Sequence, residues 1–556
     1  MSKWFQDSVV YQIYPRSFQD SNADGIGDLN GIKERLPYLQ KLGVDVLWLN
    51  PIYQSPDVDN GYDIADYEAV QPVYGTMDDF NSLLKQVHEH GMKLLMDLVV
   101  NHTSDQHKWF LESKKSKDNP YADFYIWRDP VDGHEPNNWG SSFSGSAWTY
   151  VPERGQYYLH LFAKEQPDLN WENPDVRQHV YDIMRFWLDK GVNGFRMDVI
   201  NLISKPKGLP DAPQEGGAAY GDSFAIVSDG HRLNEFLKEM NREVLSKYDV
   251  MTVGEMPDST PEDAITYTNL DGSELNMVFQ FQHVDLGGNP DKRLGKWYDQ
   301  PVPLTELKAA LSRWEEKLDG KAWNSLYWNN HDQPRTVSRF GSDDPKYRVL
   351  SAKMLGTTLH MMQGTPYVYE GEELGMTNVH FKDLSQYEDI ESINAYQQLV
   401  DKEKAIVPQK MLKYLAYKSR DNARTPMQWD DKANAGFTDA KEPWYQLNPN
   451  YTKINAKEEL QDDDSVFYYY QQLIKLRHDS ELIRYGDYTL LDPKDEEVFA
   501  YQRHYQGQTL LVISNFTAQT IKRDYKTDGS LVIANYPDDQ GDTLRPYETK
   551  VYQNTE

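Results

Sequence analysis

The sequence predicts an α/β chain: a (β/α)8 TIM barrel with an inserted domain after the third strand and a C-terminal antiparallel β-sandwich. Three observations carry this. Eight short apolar runs alternate with amphipathic stretches, a Trp- and Tyr-rich segment interrupts the series after the third run, and short β-type runs replace the alternation near the end. At 556 residues, 39% of them apolar and 26% charged, the chain has a globular composition and ample length for a large core.

Val9–Tyr14 opens the strand series. Val44–Leu49 (VDVLWL) is a continuous apolar run of strand length, suited to burial on both faces. Asp78–His90 sets Phe80, Leu83, Leu84 and Val87 on one helical face and stops at Gly91, a C-cap candidate, and Lys93–Val100 (KLLMDLVV) completes a βαβ unit. Thr103–Glu172 lacks a helical period and reads as the insertion. Asp175–Lys190 is amphipathic through Val176, Val180, Ile183, Met184 and Trp187, stops at Gly191, and feeds the strand Val192–Val199 (VNGFRMDV). Val250–Gly254, Met277–Phe281, Ser325–Asn329 and Thr365–Tyr369 bring the count to eight. Beyond roughly Glu481, Thr489–Leu491, Val498–Tyr501 and Thr509–Ile513 mark the β domain. The expected division is 1–103 with 173–480 for the barrel, 104–172 for the insertion and 481–556 for the β domain.

The charge balance, 58 basic against 87 acidic residues, gives −29. Such a surface repels phosphate backbones and anionic lipids, so no nucleic acid and no membrane partner is expected, and neutral or cationic ligands are favoured. No cysteine is present, which excludes disulfides and thiolate-bound zinc. No apolar stretch is long enough for a bilayer and no secretory pattern opens the chain, so a soluble, cytoplasmic location is expected. The 38 Tyr and 14 Trp suit either sugar stacking or large cores.

Barrel enzymes keep their reactive groups at the C-terminal strand ends. Here those ends hold Asn101-His102, Arg196-Met197-Asp198, Gly254-Glu255 and His331-Asp332. A lone strand-end Asp is usually a turn former, but several at consecutive ends point to one reactive mouth. Paired carboxylates suit glycoside hydrolysis, one ionised and one protonated. Arg196 lies two residues before Asp198, on the same strand face, and is expected to keep it ionised. Glu255 follows the apolar run MTVG, where burial is expected to raise its pKa, as an acid requires. Asp332 remains as a third carboxylate to support an oxocarbenium-like transition state.

Asp97–His102 (DLVVNH), Gln166–Asn170 (QPDLN), Gly194–Asn201 (GFRMDVIN), Val253–Met256 (VGEM) and Asn329–Asp332 (NNHD) resemble the ordered motifs of the α-amylase family of retaining glycosidases, glycoside hydrolase family 13. With Ser419–Trp429 (SRDNARTPMQW), the resemblance extends from VVYQIYPRSF to LRPYETKVY and is nearest the oligo-1,6-glucosidase, or isomaltase, branch. It implies Asp198 as nucleophile, Glu255 as acid/base and Asp332 as transition-state stabiliser. It also implies sugar contacts at His102, Arg196 and His331, and an Asp63–Arg420 pair closing the pocket so that the enzyme acts from chain ends. Tyr62, Phe143, Phe162 and Phe281 resemble the aromatic lining, and Gln166 and Glu391 fall at positions associated with the next sugar. Val199 after the nucleophile accompanies α-1,6 preference in this branch.

The expected partner is therefore an oligosaccharide, taken by a monomer without an organic cofactor. Trehalose-6-phosphate hydrolase is the alternative, because Lys292, Arg293 and Lys296 in Phe279–Trp297 offer a phosphate clamp; an α-1,4-preferring maltase is another. A non-catalytic scaffold is the reading from a different class, disfavoured by the three retained carboxylates. Asp20–Gly31 (DSNADGIGDLNG) places Asp20, Asn22, Asp24, the Ile26 carbonyl and Asp28 at spacings suited to a hard cation, with Gly31 where an EF-hand has Glu. The resemblance tips this loop toward structural Ca2+, with Mg2+ as a substitute. Glu370 and Glu388 depart from the branch's usual Gln and Arg and are expected to add negative charge near the active-site face.

Overall fold

The computed structural model describes residues 3–214 and 217–555, so the outermost positions of the expected division lie outside the described residues. Eight parallel strands form the central sheet: β1 (Val10–Ile13), β2 (Val46–Leu49), β3 (Lys93–Val99), β4 (Gly194–Asp198), β5 (Met251–Glu255), β6 (Met277–Phe279), β7 (Ser325–Tyr327) and β8 (Thr365–Tyr369). Their order is β6-β5-β4-β3-β2-β1-β8-β7, which wraps the sheet almost into a closed barrel. Side chains bridge the remaining seam: Ser325 Oγ donates to the Val278 carbonyl at 2.6 Å, and the Tyr327 hydroxyl donates to the Gln280 carbonyl.

Strand alternation explains why these runs are apolar throughout. Val10, Val46, Trp48, Leu95, Val253 and Phe279 pack together in the barrel interior, while their neighbours Tyr11, Leu47, Leu49, Leu94, Met96 and Phe195 meet the surrounding helices. The helices are set by their caps. Thr76 and Asp79 form a capping box for α1 (Met77–Glu89), which buries the four expected apolar residues and ends before Gly91 at φ 77°. Asn173 caps α2 (Pro174–Asp189), which runs into Gly191 at φ 105°.

The insertion is irregular, with one short helix (Lys108–Ser113) and a three-stranded antiparallel sheet built from Trp127–Arg128, Gln156–Leu159 and Trp148–Val151. At the other end β9 (Asp487–Leu491), β10 (Val498–Tyr505), β11 (Gln508–Asn515), β12 (Ser530–Ala534) and β13 (Thr549–Thr555) form an antiparallel sheet in the order β9-β10-β11-β13-β12. Gln506 and Gly507, both at positive φ, make the tight β10–β11 turn, so these strands are longer than their apolar stretches predict. One face packs Tyr501, Leu510 and Val512 on the barrel helices, and the other joins Ala500, Leu511 and Ile513 with a two-stranded ribbon at Ile521 and Leu544. Among the described residues no helix is long and apolar enough to cross a membrane.

Candidate active site

A cavity of about 1010 Å³ opens at the C-terminal ends of the strands, between the barrel and the insertion, and is lined among others by Asp198, Glu255 and Asp332. Its floor is organised by one buried guanidinium. Arg196 on β4 meets Asp198 Oδ1 at 2.6 Å, Glu255 Oε1 at 2.7 Å and Asp97 Oδ1 at 3.0 Å. One cation shared by three buried carboxylates cannot offset the desolvation of each. Burial therefore pushes Asp198 up to about 7 despite the pull of Arg196, and Glu255 up to about 8. The Glu255 expectation is met in direction, whereas the expectation that Arg196 alone holds Asp198 fully ionised is corrected. Burial raises both carboxyls, and hydrolysis by such a pair requires one member ionised, the role expected of Asp198, and the other protonated, the role expected of Glu255.

Asp332 is held by a different set. Its Oδ1 accepts from Arg420 Nη1 at 3.1 Å and Arg424 Nη2 at 2.8 Å. Burial acts to raise its pKa, but His331, Arg420 and Arg424 beside it hold the carboxyl well below the usual range. His331 itself is buried, pushed down to about 3, and stacked on Tyr62 with ring centroids 5.2 Å apart. Asp389 bridges both arginines, at 2.6 Å to Arg420 Nη2 and 3.0 Å to Arg424 Nη1. Asp97, Arg424 and Asp389 were not singled out from the sequence. The signal for Arg424 is its spacing of four from Arg420, which brings both guanidinium groups to one side of a helical turn.

The closed end of the cavity requires a correction. Arg420 pairs with Asp59 at 3.1 Å and not with Asp63. Asp63 is fully buried, accepts the backbone N–H of Val58 and Asp59 at 3.0 Å each, and is pushed up to about 7 by burial. It shapes the turn, with Asn60 and Gly61 at positive φ, that presents Asp59 to the cavity. Gln166 is likewise no wall residue: it is completely buried, and its Nε2 donates to Asp59 Oδ2 at 3.0 Å. Arg196 and His331, each 1% exposed, lie beneath the lining rather than in it.

The other expected positions line the cavity. Tyr62 donates its hydroxyl to Asp97 Oδ2 at 2.7 Å, Phe143 lies under the Arg420 guanidinium at 5.0 Å, and Phe162 leans on His102 at 5.2 Å. Val199 and Phe281 belong to the same lining, and Glu391 pairs with Lys296 at 2.6 Å. Glu370 and Glu388 do not appear in the lining. Glu370 sits wholly buried after β8 with Oε2 bonded to Tyr14 N at 2.6 Å, so the extra surface charge expected from it is absent.

Lys205 was also not singled out. Its buried Nζ meets Asp168 Oδ2 at 2.8 Å, Asn101 Oδ1 at 2.7 Å and the Leu202 carbonyl at 2.5 Å, tying the insertion to the ends of β3 and β4. In the 20–28 loop the oxygens face the loop's own amides. Asp20 accepts from the N–H of Asn22, Ala23 and Gly25, Asn22 from Asp24, Asp24 from Ile26, and Asp28 from Ser21 and Gly31. The donors are the hard oxygens a cation of the calcium class takes, but among the described residues no three acidic or imidazole side chains converge as a metal centre.

Comparison with known proteins places this geometry. Residues 12–486 match the family model described as alpha amylase, catalytic domain. The chain is 56% identical to the oligo-1,6-glucosidase of Parageobacillus thermoglucosidasius, covering 99% of both chains. It is 50% identical to the trehalose-6-phosphate hydrolase of Bacillus subtilis, covering 99% of this chain and 98% of that one. Among solved structures, the isomaltulose synthase of Protaminobacter rubrum superposes with a TM-score of 0.95 at 42% identity, covering 100% of each chain. The eight-stranded barrel, the carboxylates at its strand ends and these full-length matches agree: the chain belongs to the α-amylase family and is a glycoside hydrolase.

Proposed function

We propose that the protein is an exo-acting, retaining α-glucosidase that releases α-glucose from the non-reducing end of isomaltose, panose and short isomalto-oligosaccharides by cleaving α-1,6 bonds. The observation that carries this reading is the Asp59–Arg420 pair, which lines the cavity beside Asp332 and offers a charged, hydrogen-bonding cap for the hydroxyls of a terminal sugar. Asp198 attacks the anomeric carbon while Glu255 gives its proton to the departing glycosidic oxygen. A glucosyl ester on Asp198 results. Glu255, now ionised, takes a proton from water, which attacks the same carbon and restores the Asp198 carboxylate. Both carboxyls share one guanidinium, a compact placement that suits double displacement better than the gap of roughly 6.5–9.5 Å used by inverting enzymes.

The cavity charge favours a neutral sugar over a phosphorylated one. Nine carboxylates line it against four cations, and two of the basic-loop residues are already engaged, Arg293 with Asp291 and Lys296 with Glu391. The names of the similar enzymes agree with an oligo-1,6-glucosidase, and Val199 in the cavity lining, the residue that accompanies α-1,6 preference in the branch this chain resembles, supports that preference. Initial rates on isomaltose, maltose and trehalose-6-phosphate, compared with one preparation, test the proposal. Fastest turnover of isomaltose is expected, and preference for trehalose-6-phosphate would replace the substrate while leaving the catalytic trio in place.

We also propose that Asp20–Asp28 takes a structural calcium or magnesium ion, supported by the hard-oxygen donor spacing of that loop. It supplies no step of the reaction.

A further inference from the structure

Val199 is the β-branched residue among the non-glycine positions of the cavity lining held at positive φ. It adopts φ 34° and ψ 41°, in the left-handed region that such side chains avoid. The surrounding structure holds it there. Asn201 Nδ2, two residues on, donates to the Pro257 carbonyl at 2.7 Å, and Ile200 packs against Gly254 so tightly that a Cβ on that glycine would meet the Ile200 Cγ2 at 2.9 Å. The turn after the nucleophile is thus fastened on both sides of Glu255. The left-handed twist also directs the Val199 N–H to Glu255 Oε2 at 3.0 Å, while Arg196 Nη2 reaches Oε1 at 2.7 Å.

We propose that the strained Val199 backbone is a positioning element for the acid/base: with Arg196 it occupies the inner lone pairs of Glu255 and so forces the catalytic proton to face the cavity. Both partners are donors only, so neither accepts that proton. The carboxyl hydrogen must sit on the remaining lone-pair direction, toward the space that Glu255 shares with Asp198 and Asp332. Backbone strain concentrated at such a point is the expected signature of a geometry held for function. The charged groups facing Glu255 are Arg196, Asp198 and Asp332, and the Val199 N–H adds to the pull of Arg196 in favouring the ionised form.

The inference rests on the α-glucosidase reading. That reading is tested separately, because the unaltered protein must hydrolyse both isomaltose and α-glucosyl fluoride. The decisive change is a backbone amide-to-ester exchange at Val199, which removes the N–H and keeps the side chain. Loss of that bond should lower kcat/KM for isomaltose by about 10-fold or more and move the basic limb of its pH profile upward. The kcat/KM for α-glucosyl fluoride, which reports only the first step and whose leaving group needs no proton, should stay within about 2-fold of the parent. Asn201→Ala, which loosens the same turn and folds without special chemistry, should show the same split to a smaller extent, and Val199→Thr, which retains the N–H, should keep the basic limb in place. Equal losses on both substrates, or an ester variant with an unmoved basic limb, would overturn the proposal.

Discussion

Lys205→Met removes the ammonium that ties the insertion to the barrel while keeping most of the side-chain volume. The structure fixes what is lost: a 2.8 Å ion pair to Asp168 and donors to Asn101 Oδ1 and the Leu202 carbonyl. Among the described residues Asp168 then keeps only the Leu161 N–H at 3.0 Å and Asn101 Nδ2 at 3.2 Å, a buried carboxylate without its cation. Breaking one side of a buried pair costs about 3–5 kcal/mol. With an unfolding entropy of about 2.1 cal/mol/K per residue, a chain of 556 residues gains roughly 1.2 kcal/mol per degree, so Tm should fall by about 3–4 °C if the molecule melts as one unit. Because His102 pairs with Asp168 across a β-bridge and lines the cavity, KM for isomaltose should rise as well. Calorimetry and initial rates check both effects. Lys205→Met/Asp168→Asn, which removes the stranded charge, should recover part of the lost stability. A single variant with parental Tm and KM would refute the view that this ammonium holds the cavity wall.

Activity should be bell-shaped in pH: kcat/KM falls below about 7 as Asp198 gains a proton and above about 8 as Glu255 loses one, and a profile flat through the alkaline side would remove the acid assignment. Asp59→Asn should raise KM for isomaltose about 10–100-fold, the loss of a charged hydrogen-bonding partner, while Arg420 keeps Asp332 and Asp389, so that no cation is stranded and Tm should change little. Asp63→Asn should do the reverse, weakening two backbone bonds and lowering Tm more than it raises KM. Chelation of divalent ions should lower Tm without altering the pH profile; an unchanged melting curve, with metal analysis showing none bound, would dismiss the cation.

How much of this was legible in the sequence follows from range. Strands buried on both faces leave continuous apolar runs, so all eight barrel strands could be read, and helix caps such as Thr76 and Asn173 act within a few residues of the elements they start. Strand ends were less legible. β6 stops at Phe279 instead of Phe281, because pairing with β5 ends opposite Glu255 while the apolar character continues into the cavity wall. Hydrophobicity reports burial, and burial outlasts the ladder.

The site shows the same division. Arg196 and Asp198 are two residues apart on one strand, so their contact is dictated by strand period alone. Asp59 and Arg420 are 361 positions apart, and DVDNGYD offers three aspartates within seven residues. No local rule states which one the turn at Asn60 and Gly61 points inward. The same limit governs charge. A sequence counts Arg196 as one cation beside Asp198, whereas the fold divides it among Asp97, Asp198 and Glu255. That sharing inverts the expected result. Because no carboxyl receives the guanidinium whole, burial prevails at Asp198 and Glu255, while Asp332, which has Arg420 and Arg424 on one oxygen, stays ionised. The division of labour among three chemically similar acids is therefore a property of how few cations the barrel mouth provides and where it places them.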